Sequence, residues 1–194
     1  MKKVTYLLLI TLILLNFTNT QAFNKIDGRS QALIDAENDI DIKYYLTSQR
    51  NSELFEIIDF KNISTGKNDN IKNYRGKIII LHFWATWCGY CIDEMKYLDQ
   101  LSNILQKKEI DEIVIFPISI DNDNYSIIQD FYKESNIKNL SIYQDKENKY
   151  LSSLGKTTVP TTFIIGKDGK QIVVANGPVP WDNVSIINYL KKLL

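Results

Sequence analysis

The chain is poor in the side chains that build metal centres and covalent frameworks. Its 194 residues include two cysteines and one histidine. A closed zinc site takes about four Cys or His ligands, so an intrachain zinc centre is excluded, and no other metal or cofactor is called for. Both cysteines fall in the segment Cys88-Gly89-Tyr90-Cys91, which leaves none to form a separate bracing disulfide. An excess of charge is also absent, with 23 Lys+Arg against 23 Asp+Glu. No strong electrostatic pull toward nucleic acid or an anionic membrane surface follows. Repeats and low-complexity segments are missing too. The apolar run Val4 to Leu15 has only 12 residues, fewer than the about 20 that a spanning helix wants.

What is present at the N-terminus reads as an export signal. Lys2-Lys3 is followed by that apolar run, then by polar residues leading to Ala22. This is the order of a secretory signal peptide cleaved after Ala22. An uncleaved anchor, borrowing residues 17–23, is the alternative. Either way the rest of the chain is expected outside the cytoplasm, with the segment at 23–51 a linker or irregular extension and 52–194 one domain. A short helix at 30–38 is compatible with its composition.

The segment the rest serves is His82 to Cys91. An apolar run, Ile78 to Leu81, reads as a buried strand, and Ile92 to Lys107 reads as a helix with apolar residues at Ile92, Met95, Leu98, Leu101, Ile104 and Leu105. The strand therefore delivers two cysteines to a helix N-terminus. There, unpaired backbone N–H groups and the helix dipole favour a thiolate at Cys88. Cys91, one turn on, is within reach of it. Such a pair attacks a partner's disulfide through one sulfur and resolves the mixed disulfide with the other. A merely stabilising bridge would gain little here, because so short a loop constrains the unfolded chain weakly.

The remaining elements alternate. Leu54 to Ile58 reads as a strand, followed by a turn-rich excursion from Asn62 to Asn70. Ile113 to Ile120 is a β-branched strand, with Asp121 to Asn124 as turn and helix cap. Ile127, Ile128, Phe131 and Tyr132 give a helix its apolar stripe. Leu140 to Tyr143 is a short strand and Asn148 to Leu154 a short helix closed by Gly155. Thr161 to Ile165 and Gln171 to Ala175 form a hairpin around Lys167-Asp168-Gly169-Lys170. Asp182 to Leu193 is the last helix, with Val184, Ile187, Leu190 and Leu194 inward.

FWATWCGYC, with Val159-Pro160-Thr161-Thr162-Phe163 far downstream, resembles the thioredoxin superfamily. More closely it resembles the exported TlpA/ResA/DsbE-type thiol:disulfide oxidoreductases, over roughly 52–194. The resemblance implies an α/β thioredoxin fold: a central mixed β-sheet flanked by helices, with an N-terminal β extension and a central helix–strand insert near 129–154. It implies that Cys88 and Cys91 are the redox-active pair. It also implies a cis Val159-Pro160 bond, with the Val159 backbone beside Pro160 positioning the partner. Trp87, just before the first cysteine, either shields its sulfur and offers the partner a flat apolar surface or is an ordinary packing residue. Glu94 matches a glutamate that this type keeps near its thiols, and His82 falls where cytoplasmic thioredoxins carry a buried acid. Both are candidates for moving the Cys91 proton; the plain alternatives are a first-turn acid and a core histidine. Trp84 and Trp181 read as packing residues, and Asp93 as solvated. Tyr90 departs from the proline that the type often has.

By the same resemblance the partners are cysteine-containing proteins, an apocytochrome c or a copper-site oxidase subunit. A membrane-integral donor would restore the thiols, so the protein would work close to the membrane, in a periplasm-like compartment. Two rivals remain on the residues alone: an oxidant that installs disulfides, and a copper-binding assembly module using His82 as third ligand.

Overall fold

A computed structural model describes residues 45–54 and 59–194, the strand at 47–54 by its backbone alone. The export segment at 1–22, the helix considered at 30–38 and most of the strand expected at 54–58 lie outside the described residues.

The sheet is built outward from β4 (Ile78–Trp84), whose seven residues are all buried. Such a run of Ile, Leu and aromatic side chains suits a strand covered on both faces. On one side β4 pairs in parallel with β5 (Ile113–Ser119), Ile78 opposite Ile113 and Trp84 opposite Ser119. On the other side it pairs antiparallel with β7 (Thr161–Ile165), His82 opposite Thr162. β7 returns as β8 (Lys170–Asn176) through a tight turn whose Gly169 has φ +79°. The described strands form a sheet of order β1-β8-β7-β4-β5-β6. It is mixed, with helices packed against it: the α/β thioredoxin arrangement that the sequence implied.

Both additions to that arrangement are present. β1 (Thr47–Leu54) lies antiparallel on β8 at one edge. The sheet thus begins at Thr47, within the stretch read as an irregular linker up to residue 51. A hairpin of β2 (Asp59–Lys61) and β3 (Asn68–Asn70) occupies the turn-rich excursion. The insert supplies β6 (Tyr143–Gln144), parallel to β5 at the far edge. It is shorter and later than the strand read at 140–143, because only Tyr143 and Gln144 reach the β5 backbone.

Helix α1 (Gly89–Lys107) buries Cys91, Glu94, Met95, Leu98, Leu101 and Leu105. This stripe is rotated from the expected one: Ile92 and Ile104 are only half-buried. Helix α2 (Ser126–Glu134) lays Phe131 on Trp84, ring centroids 4.8 Å apart. Asp121 does not cap it; Tyr125 precedes the helix without a side-chain bond. Helix α3 (Lys149–Ser153) is held instead by Asp145, whose carboxylate accepts from the N–H groups of Lys149, Tyr150 and Leu151. The last helix, α4 (Val184–Lys192), starts at Asn183, whose Oδ1 accepts from Ser185 N–H at 2.8 Å. Ile186 and Leu190 are its buried apolar residues; Ile187 is half-buried and Leu194, read as inward, is exposed. The helix begins later than the apolar pattern implied, because Asn183 offers the better cap.

Candidate active site

β4 ends at Trp84, and four residues later Cys88 caps α1. Cys88 is extended (φ −89°, ψ 105°), and its Sγ accepts the Cys91 N–H at 3.3 Å. Cys88 and Cys91 are joined by a disulfide with Cα atoms 5.2 Å apart. The two sulfurs are not equivalent. Cys88 keeps 8% of its surface exposed, whereas Cys91 has none. An incoming group therefore has access to the Cys88 sulfur and none to that of Cys91.

The loop between strand and helix is fastened from β5. Asp121, 1% exposed, accepts from Thr86 N–H at 3.0 Å, Thr86 Oγ1 at 2.7 Å and Ser119 Oγ at 2.6 Å. Ile120 N–H donates to Trp84 O at 2.8 Å, extending the β4–β5 ladder into the loop. Beside this anchor Trp87 is 67% exposed and Tyr90 75% exposed. Trp84, by contrast, is fully buried.

Val159-Pro160 is cis. Continuing the β4–β7 register by one residue sets Pro160 opposite Trp84, at the end of the sheet from which the cysteine loop departs. Neither the N–H nor the C=O of Val159 is engaged by another described residue. Pro160 O accepts from Gly177 N–H at 2.9 Å. Gly177 has φ +114°, a left-handed value that favours glycine.

Gly177 opens a segment that reaches back to α1. Glu94 Oε1 accepts from Trp181 Nε1 at 2.8 Å and from Val179 N–H at 3.2 Å. Glu94 is 1% exposed, and its Oε2 has no partner among the described residues. Burial pushes its carboxyl up to about 8, against the pull of those two donors. His82 is fully buried, its Nδ1 2.8 Å from Thr162 Oγ1 and 3.8 Å from Glu94 Oε1. Burial lowers the imidazole to about 3. At neutral pH His82 is therefore neutral and Glu94 is mostly protonated with a minor ionised fraction, so their approach is in the main a polar contact rather than an ion pair.

Of the residues singled out in the sequence, the fold gathers His82 and Glu94 and sets Cys88 and Cys91 at the N-terminal end of the helix that carries Glu94. Asp93 is left outside, exposed and paired with Lys96 at 3.0 Å. Three roles were not read from the sequence: Asp121 on Thr86, Trp181 on Glu94 and Thr162 on His82. Glu94 did carry a signal, since Cys91, Glu94, Leu98, Leu101 and Leu105 are spaced 3, 4, 3 and 4 apart. Asp121 and Thr162 had none, because each meets its partner through a neighbouring strand.

Residues 50–191 match the redoxin family. That match covers well over half of the chain. This protein belongs to the redoxin family. Thiol-disulfide oxidoreductase ResA of Bacillus thuringiensis subsp. konkukian (strain 97-27) is 32% identical over 129 residues, covering 66% of this chain and 70% of the relative. Among solved structures, the pneumococcal exposed lipoprotein thioredoxin Etrx1 from Streptococcus pneumoniae strain TIGR4 superposes with a TM-score of 0.58 at 26% identity, covering 70% of this chain and 98% of Etrx1. StoA from Bacillus subtilis does so with a TM-score of 0.58 at 22% identity, covering 69% and 95%. This redoxin is a thiol:disulfide oxidoreductase of the TlpA/ResA/DsbE-like group, and its substrates are cysteine-containing proteins.

Proposed function

We propose that the protein is exported and reduces disulfides in partner proteins during respiratory cytochrome assembly, on an apocytochrome c or a copper-site oxidase subunit. The observation that supports dithiol–disulfide exchange at this site is the buried Glu94, held one turn beyond the sealed Cys91 by Trp181 and Val179; the reducing direction is what the resemblance to the TlpA/ResA/DsbE-like group implies. In the working direction the Cys88 thiolate attacks one sulfur of the partner's disulfide, and the other partner sulfur leaves as thiolate. Cys91 then gives its proton to ionised Glu94 and attacks Cys88, which releases the second partner sulfur. The partner gains two electrons and the Cys88–Cys91 pair loses two. Burial raises carboxyl and thiol alike, so a carboxyl near 8 takes a proton from a buried thiol at smaller cost than an ordinary carboxylate would. His82, neutral and fixed by Thr162, orients Glu94 in this scheme. The backbone of Val159, which no other described residue engages, lies beside Pro160 and receives the partner as an added strand, and Trp87 lies under it.

Export rests on the order of residues 1–22. That the similar Etrx1 is an exposed lipoprotein agrees with an extracytoplasmic setting. Among the described residues no helix is long and apolar enough to cross a membrane. A membrane-integral donor would regenerate the thiols.

A Cys91→Ser variant cannot resolve its mixed disulfide, so it should trap its partners in cells. We expect a cytochrome or an oxidase subunit among them, and a reduction potential for the native pair nearer about −270 than about −120 mV. A potential at the upper figure, with secreted disulfide proteins trapped instead, would replace the reductant by an oxidant.

A further inference from the structure

Five large apolar side chains are exposed among the described residues, and four of them sit at one end of the sheet. Trp87 and Tyr90 flank Cys88; Tyr125 (48% exposed) and Ile127 (40%) lie at the start of α2. The hydrogen bonds from Thr86 to Asp121 tie the two loops that carry them. Ile127 stands four residues before Phe131, on the same helix face, and Phe131 packs on Trp84. The apolar face of α2 therefore continues from the buried Trp84 to the surface beside the cysteine loop. Bulky apolar groups left in water at a reactive centre mark a binding surface.

We propose that Tyr125 and Ile127, with Trp87 and Tyr90, form a docking strip for an extended, cysteine-bearing segment of an unfolded polypeptide that has large apolar residues beside its disulfide. This rests on the thiol:disulfide activity and names the class of segment it prefers. Two observations favour an extended occupant over a folded surface. Cys88 shows only 8% of its area, so the partner's sulfur must come down flat on it. The N–H and C=O of Val159, half-exposed and engaged by no other described residue, are the pair of groups that a strand-like chain takes up by backbone pairing. An extended segment lying on Val159 runs past Cys88, and its side chains then reach the α2 end.

The test uses the full-length reduced protein and three disulfide probes: a ten-residue peptide with Leu and Trp beside a mixed-disulfide cysteine, the same peptide with Ser at those positions, and glutathione disulfide. In each reaction the probe disulfide is reduced to two thiols as the Cys88–Cys91 dithiol becomes a disulfide. The native protein should prefer the apolar peptide to the Ser peptide by about tenfold or more in second-order rate. Tyr125→Ser/Ile127→Ser should erase most of that preference, read as the rate ratio of apolar peptide to glutathione disulfide. Tyr90→Ser, a single exposed change, should lower the same ratio and serves if the double variant does not fold. Equal rates with both peptides, or a ratio unmoved by either variant, would overturn the strip. So would sedimentation showing the patch closed by a second copy of this chain. Failure to react even with glutathione disulfide would remove the activity itself, a distinct result.

Discussion

At the scale of single residues, the site is governed by two buried groups that titrate in opposite senses. Glu94 is raised by burial to about 8, so its stabilising contribution is full below the ordinary carboxyl range and is lost as pH rises toward 8. His82 is lowered to about 3, so its contribution is full above the ordinary imidazole range and is lost as pH falls toward 3. Between about 4.5 and 6.5 the two slopes oppose each other. Thermal denaturation of the oxidised protein should therefore show its highest midpoint there, with a decline toward pH 8 that Glu94→Gln flattens. A midpoint still falling just as steeply in that variant would assign the loss elsewhere. The same substitution bears on chemistry. The rate at which Cys91 resolves a mixed disulfide should drop roughly a hundredfold, the lower end of the usual range for removing a proton-transfer group. Stopped-flow release of a partner thiol reports it. The glutamate was legible in the sequence, both from family resemblance and from its place in the 3-4-3-4 stripe of α1. Its hydrogen-bond donors were not, because Trp181 lies 87 residues away and joins it only when the last helix folds back.

At the scale of elements, the cysteine loop is a bridge between β4 and β5. One carboxylate holds it through Thr86, and removing that carboxylate leaves two donors of Thr86 and the Ser119 hydroxyl unpaired. Asp121→Ala should cost roughly 2–4 kcal/mol in urea denaturation: a stranded buried donor such as the Ser119 hydroxyl costs about 1–3, and the half-buried Thr86 donors cost less because water reaches them. Asp121→Asn, which keeps an acceptor, should recover a large part. Asp145 offers a parallel case: its carboxylate takes three N–H groups of α3, and Asp145→Ala should cost about 1–2 kcal/mol. The strands and helices of the central core were readable because their apolar periods are long and clean. The errors fall where a side chain competed with periodicity. Asn183 reset the start of α4, and with it the buried face. Asp121 looked like a turn residue because aspartate after a strand so often is one; its real partner comes from an adjacent strand. β1 was missed because an edge strand of Thr-Ser-Gln-Arg-Asn-Ser-Glu-Leu has no alternating pattern to betray it.

At the scale of the whole molecule, oxidation state and stability are linked. Closing a loop of four residues should add about 2 kcal/mol through the unfolded chain. Any departure of the measured difference between oxidised and reduced protein from that figure is the fold's own preference for disulfide or dithiol, and it must appear equally in the reduction potential. For a reductant we expect the dithiol to be favoured little or not at all, so the oxidised form should be the more stable in paired urea titrations. Away from the active site, the hairpin and the insert meet each other as well as the sheet. Ile63 N–H donates to Ile142 O at 2.8 Å, Ile142 N–H donates to Ser64 Oγ at 3.1 Å, and Phe60 stacks against both Phe116 and Tyr143. The two additions are therefore one appendage contributed by distant stretches of chain. A graft that moved only one of them onto a bare scaffold would carry half a seam, so chimeras should succeed when both pieces travel together and lose solubility when either travels alone.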